Sequence, residues 1–151
     1  MKLKLGDRIP DFTATMTNGT LFHSQNVVGK KPVVIYFYPK NNTSVCTAQA
    51  CSFRDQYQDF KDLGAEVIGV SSDNLHSHQD FSNEYRLPFI LLSDEKQELK
   101  KLFGVPNALF GLLPGRVTYV ADEDGKIVMI FNSLLGTKHI TKALEVLKKR
   151  K

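Results

Sequence analysis

The only two cysteines of this 151-residue chain, Cys46 and Cys51, lie five positions apart in the stretch NNTSVCTAQAC. Four residues between the sulfurs fit neither the C-x-x-C of dithiol redox sites nor the paired knuckles of zinc sites. Cys46 follows an apolar run, PVVIYFYP from Pro32, at the point where a breaker-free segment begins. That places its sulfur at a helix start, beside unpaired backbone N–H groups and the positive end of the helix dipole, where a thiolate is favoured and reactive. The hydroxyls of Thr43, Ser44 and Thr47 stand beside it, able to cap the helix or bind an oxygen species.

Cys51 belongs to the same helix, so its side chain is turned about 140° from that of Cys46 and displaced about 7.5 Å along the axis. A disulfide needs Cα atoms within about 7 Å, so forming one requires the first turn or two to unwind. This suits a redox couple better than a structural bridge. The competing reading is that both are ordinary buried thiols, among the most buried of side chains.

The elements that position these residues follow from periodicity. Val33–Tyr38 reads as a strand buried on both faces, Cys46–Leu63 as one helix ended by Gly64, and Ala65–Val70 as a second strand, giving a β-α-β unit with parallel strands. Helices are expected over His76–Tyr85, Glu95–Phe103 and Thr137–Lys149, with a short apolar stretch at Pro88–Leu92. RVTYVAD and KIVMIFN flank Glu123-Asp124-Gly125, a hairpin signal, and Asn107–Gly115 reads as an irregular loop. This order is that of an α/β thioredoxin-like sandwich, a central mixed sheet flanked by helices, over residues 1–151 as one domain. Charges and a Pro near the N-terminus and the lack of a long apolar run predict a soluble, cytoplasmic chain with no membrane span. The net charge of +4 is concentrated in the final KKRK, without a nucleic-acid reading motif. His76 and His78, two apart, do not share a helix face, and no metal site is expected. His23 and His139 read as surface or satisfied structural residues, and Arg54 as a salt-bridge or surface residue.

The segment YFYPKNNTSVCTAQACSFRD resembles the active-site segment of the peroxiredoxins, whose P-x-x-x-T/S-x-x-C signature is met by Pro39, Thr43 and Cys46. C-T-x-x-A-C narrows the likeness to the peroxiredoxin Q, or bacterioferritin comigratory protein, branch. GDRIPDF, VIGVSSD, LPFILLSDE, FGV and RVTYVAD extend it over nearly the whole chain. The resemblance implies a thiol-dependent peroxidase acting on hydrogen peroxide and organic hydroperoxides. It makes Cys46 the peroxidatic nucleophile, Cys51 the resolving thiol in an intramolecular disulfide, and Thr43 the hydroxyl that orients the peroxide. Pro39 shields the sulfur, and the Arg116 guanidinium holds the thiolate and the peroxide oxygens. A thioredoxin-like dithiol closes the cycle, no cofactor or metal is required, and the chain is expected to be a monomer. A non-enzymatic redox sensor on the same fold is the alternative, and a thiol–disulfide oxidoreductase a second one that the absence of C-x-x-C disfavours. Two departures bear on rate more than on reaction class: Ser44-Val45 stand where the family usually has Pro-Gly, and Gln49 where it has Glu. Phe103, Phe110, Leu112 and Leu113 are read as a lid over the core or an apolar collar for organic hydroperoxides.

Overall fold

Seven strands form one mixed sheet in the order β2-β1-β5-β4-β3-β6-β7. A computed structural model describes residues 2–106, 116–133 and 136–150. At the centre, β3 (Val33–Phe37) runs parallel to β4 (Glu66–Ser71), which runs parallel to β5 (Ile90–Ser93). On the other side β3 pairs antiparallel with β6 (Val117–Ala121), and β6 with β7 (Ile127–Asn132). An N-terminal hairpin of β1 (Thr13–Met16) and β2 (Leu21–His23) completes the sheet beyond β5; the sequence pattern did not reveal it, because both strands are short and lack a buried apolar alternation.

The β3 residues alternate between two cores, as a pleated strand must. Val34 and Tyr36 face α1 (Ser44–Asp55), α3 (Leu75–Tyr85) and α5 (Gly136–Lys149), while Val33, Ile35 and Phe37 face α4 (Glu98–Phe103) and the N-terminal arm. The expected terminal helix is present, with Ile140, Leu144 and Leu147 buried. Tyr36 lies opposite Gly69, where a Cβ would stand 2.8 Å from the Tyr36 ring and hydroxyl. The missing side chain lets the ring lie flat and stack on Phe53 of α1 at 4.5 Å, which fixes the helix over the sheet.

The single helix expected over 46–63 is two. It breaks at Gln56, and α2 (Tyr57–Asp62) follows at a new angle. No breaker residue marks the place; the turn brings Phe60 against Phe53 and lets the Tyr57 hydroxyl donate to Glu66 Oε1 at 2.9 Å, so tertiary contacts override local propensity. The helices expected from His76 and Glu95 begin at Leu75 and Glu98, and the Pro88–Leu92 stretch pairs as β5. The Asn107–Gly115 loop, with Phe110, Leu112 and Leu113 of the collar, lies outside the described residues. Phe103 is a core residue, 0% exposed.

Candidate active site

Cys46 sits in the first turn of α1, on the face shared with Ala50 and Phe53, and is only 1% exposed. Arg116, immediately before β6, reaches it across the sheet: Nη2 donates to Cys46 Sγ at 3.1 Å. The neighbouring Nη1 donates to Oε1 of Gln49, one helical turn after the cysteine. Both partners are buried, so the contact between guanidinium and sulfur is little screened by water. Among the described residues, Arg116 Nε and Gln49 Nε2 have no acceptor. Buried donors left open beside a nucleophile are groups that an incoming oxygen ligand can satisfy.

Arg116 is itself held. Its carbonyl accepts from Ser133 N at 3.2 Å, and the Ser133 carbonyl lies 2.8 Å from Nε2 of His139. The other ring nitrogen lies 2.7 Å from the Thr118 hydroxyl. Burial pushes the His139 imidazole down to about 4, with Arg116 acting in the same direction, so the ring is neutral at pH 7. Neutrality assigns the Nε2 proton to Ser133 and leaves Nδ1 as acceptor from Thr118. His139 is thus a satisfied structural residue, as expected, but it stands one step from the arginine.

Thr43 is the N-cap residue of α1, yet its hydroxyl makes no cap bond; it donates to the Lys40 carbonyl at 2.9 Å instead. The capping role expected of this hydroxyl is therefore absent, and its lone pairs stay open as acceptors. Pro39 is half-buried and lines a small cleft with Tyr38, Val70 and Asp94 at the ends of the central strands. Cys51 is half-buried on a different side of α1, and both cysteines are free thiols. With α1 intact from Ser44 to Asp55, the two sulfurs cannot meet. Arg54 pairs with Asp55 at 3.0 Å and donates to the Tyr85 carbonyl at 2.8 Å, joining α1 to the end of α3. His76 pairs with Asp80 on the surface, and among the described residues no three metal-ligating side chains cluster.

Residues 5–130 match the AhpC/TSA family. The chain belongs to this family. It is 48% identical over 147 residues to the chloroplastic peroxiredoxin Q of Populus jackii, covering 97% of this chain and 68% of that one. Among solved structures it is similar to the peroxidoxin BcpB of Mycobacterium tuberculosis, with 34% identity, a TM-score of 0.90 and 99% of each chain covered. It also matches the bacterioferritin comigratory protein of Xanthomonas campestris, a structure concerned with alkyl peroxide reduction, at 28% identity and TM-score 0.85 over 98% of this chain and 97% of that one. Fold and family agree with the peroxiredoxin Q resemblance, and the chain is a thiol-dependent peroxidase.

Of the residues singled out in the sequence, the structure brings Cys46 and Arg116 together and gives Gln49 a hydrogen bond to the same guanidinium. Sequence reasoning missed the support that His139 gives to Arg116, and a buried polar cluster around Asn41 and His78. Neither carries a sequence signal, because both depend on partners far apart in the chain.

Proposed function

We propose that Cys46 reduces hydroperoxides and that Cys51 resolves the oxidised sulfur on the same chain. The observation that carries this is the 3.1 Å contact from Arg116 Nη2 to Cys46 Sγ in a buried site. The Cys46 thiolate attacks the terminal oxygen of a hydroperoxide. The O–O bond breaks, and the alkoxide or hydroxide leaves with a proton as alcohol or water. Cys46 is then a sulfenic acid. The open donor of Arg116 stabilises the charge developing on the leaving oxygen, Thr43 accepts from the peroxide O–H, and Pro39 keeps water from the sulfur. The first turns of α1 unwind, the Cys51 thiolate attacks the Cys46 sulfur, and water leaves as the disulfide forms. A thioredoxin-like dithiol then exchanges with the disulfide, becoming oxidised itself and restoring both thiols.

No step in this cycle calls for a metal or organic cofactor. Hydrogen peroxide and organic hydroperoxides are the substrates; alkyl peroxide reduction by the Xanthomonas relative supports the second class. With both thiols on one helix, a monomer suffices, and the reading assigns the chain to a reducing compartment, the cytoplasm.

The test is the intact mass of reduced protein after one equivalent of hydrogen peroxide, beside Cys46→Ser and Cys51→Ser. The expected results are loss of two hydrogens in the wild type, a single added oxygen in Cys51→Ser, and no change in Cys46→Ser. Reaction of all three at the pace of a free thiol would leave a redox sensor as the better reading.

A further inference from the structure

Among residues 40–43 of the turn joining β3 to α1, one faces inward. Asn41 is 3% exposed, whereas Lys40, Asn42 and Thr43 beside it are all exposed. A buried polar side chain in an exposed turn needs partners, and Asn41 has them at both ends of its amide and at its backbone N–H. Its backbone N–H donates to Asp73 Oδ2 at 2.9 Å, and its Oδ1 accepts from the Tyr38 hydroxyl at 2.5 Å. Its Nδ2 donates to Ser77 Oγ at 3.1 Å and faces His78 Nδ1 at 3.3 Å.

His78 is 0% exposed, and burial pushes its imidazole below the ordinary value, so the ring is neutral. Nδ1 then accepts from Asn41, and Nε2 carries the proton toward Ser71 Oγ at 3.4 Å. Ser71 in turn donates to Asp73 Oδ2 at 2.6 Å. The bonds close a ring from the Asn41 amide through His78, Ser71 and Asp73 back to the Asn41 backbone. A second arm runs through Ser77, which donates to Asp73 Oδ1 at 3.3 Å. Ser71 ends β4, and Ser77 and His78 belong to the first turns of α3.

We propose that Asn41 is a positioning residue for the peroxide reaction, pinning the Pro39–Thr43 turn to β4 and α3 so that Pro39 and Thr43 stand in place each time a peroxide is attacked. This rests on the peroxidase reading given above. Pro39 and Thr43 lie two residues to either side of Asn41, and the resolving step requires α1 to come apart from Ser44 onward. Without a fixed point between them, that motion would displace both residues. Asn42, directly after the pin, has φ +62°, a left-handed turn conformation that asparagine tolerates better than most non-glycine residues. The first step of the cycle therefore depends on Asn41, while disulfide formation is governed by α1 itself.

The test separates the two steps. Asn41→Leu removes every side-chain bond at similar volume, and Ser77→Ala removes one hydroxyl, the acceptor from Asn41 and the donor to Asp73, while leaving the rest of the cluster in place. The rate of sulfenic acid formation is read in a Cys51→Ser background, and the rate of disulfide appearance with both cysteines present. Asn41→Leu is expected to slow the first step about ten-fold or more, as a misplaced binding group does. Ser77→Ala slows it less, and disulfide formation stays within about two-fold in both, the rate being set by the local helix. An unchanged first step, or equal slowing of both steps, overturns the proposal; if Asn41→Leu does not fold, Ser77→Ala decides. Should the Cys51→Ser parent itself react no faster than free cysteine, the peroxidase reading falls as well, an outcome distinct from failure of the variants alone.

Discussion

At the sulfur, one guanidinium serves two acceptors, with Nη2 on Cys46 and Nη1 on Gln49. The planar fork makes this possible: two donors diverge from one carbon at a fixed angle, whereas an ammonium presents a single charged point. Arg116→Lys preserves the charge and offers three donors, but they radiate from one nitrogen and do not reproduce the planar fork that spans the sulfur and the amide. The rate of the reduced enzyme with hydroperoxide is therefore expected to fall by about 10²–10³-fold, the usual cost of losing one preorganised donor at a developing oxyanion. Stopped-flow measurement in the Cys51→Ser background isolates that step. A loss of less than about three-fold would mean that charge alone is sufficient at this site, against the usual weight of such donors. Gln49 adds the neutral side of the arrangement: it orients the fork without adding a negative charge near the thiolate.

The helix that carries both thiols has to be stable enough to present Cys46 and weak enough to come apart. The contact that sets this balance is its packing on α5. A Cβ at Gly136 would stand 3.0 Å from the Val45 carbonyl oxygen and from Gln49 Cβ, and 3.1 Å from Val45 Cγ1. Gly136 thus lets the start of α5 press against the first turn of α1. Gly136→Ala would force the two helices apart, with an expected loss of about 1–3 kcal/mol in urea-unfolding stability. It should also speed disulfide formation after oxidation, because the intact first turn is the state being destabilised. Slower disulfide formation in this variant would show that α5 guides the unwinding instead of restraining it. Much of this architecture was legible in the sequence: the apolar β3 run, the β-α-β order and the β6–β7 hairpin each carry a local pattern that their burial satisfies. The β1–β2 hairpin and the Gln56 break were not legible, since the first has little buried apolar periodicity and the second exists for the contacts of Tyr57 and Phe60. The site divides likewise. Cys46 and Thr43 stand out by type and spacing beside a predicted helix start, but Asp73, Ser77 and His78 lie more than thirty residues from Asn41 and become visible as its partners only in the folded chain.

Across the whole molecule, two buried neutral imidazoles tie the site to the fold, His139 behind Arg116 and His78 behind Asn41. Burial lowers both below the ordinary histidine value, His139 to about 4 from 6.5. The unfolded chain therefore takes up these protons at a higher pH than the native state does. Stability from His139 is fully present above about pH 6.5, is lost as pH falls toward about 4, and levels off below that. The loss is on the order of 3 kcal/mol for His139, and His78 acts in the same direction. Asp94 opposes them: burial raises its carboxyl, so acid relieves a charge held out of water and restores part of the stability. Two histidines act against this one carboxyl, so the midpoint of urea unfolding is expected to drop between pH 6.5 and 4. In His139→Gln the drop should be shallower and the two curves should converge as the pH falls, because the variant has no imidazole to protonate. Parallel curves would show that His139 does not titrate differently in the folded and unfolded states. The same acid range should weaken peroxide reduction before global unfolding begins, since an imidazolium at His139 keeps its Nε2–H bond to the Ser133 carbonyl but can no longer accept from Thr118 and sets a second positive charge near Arg116.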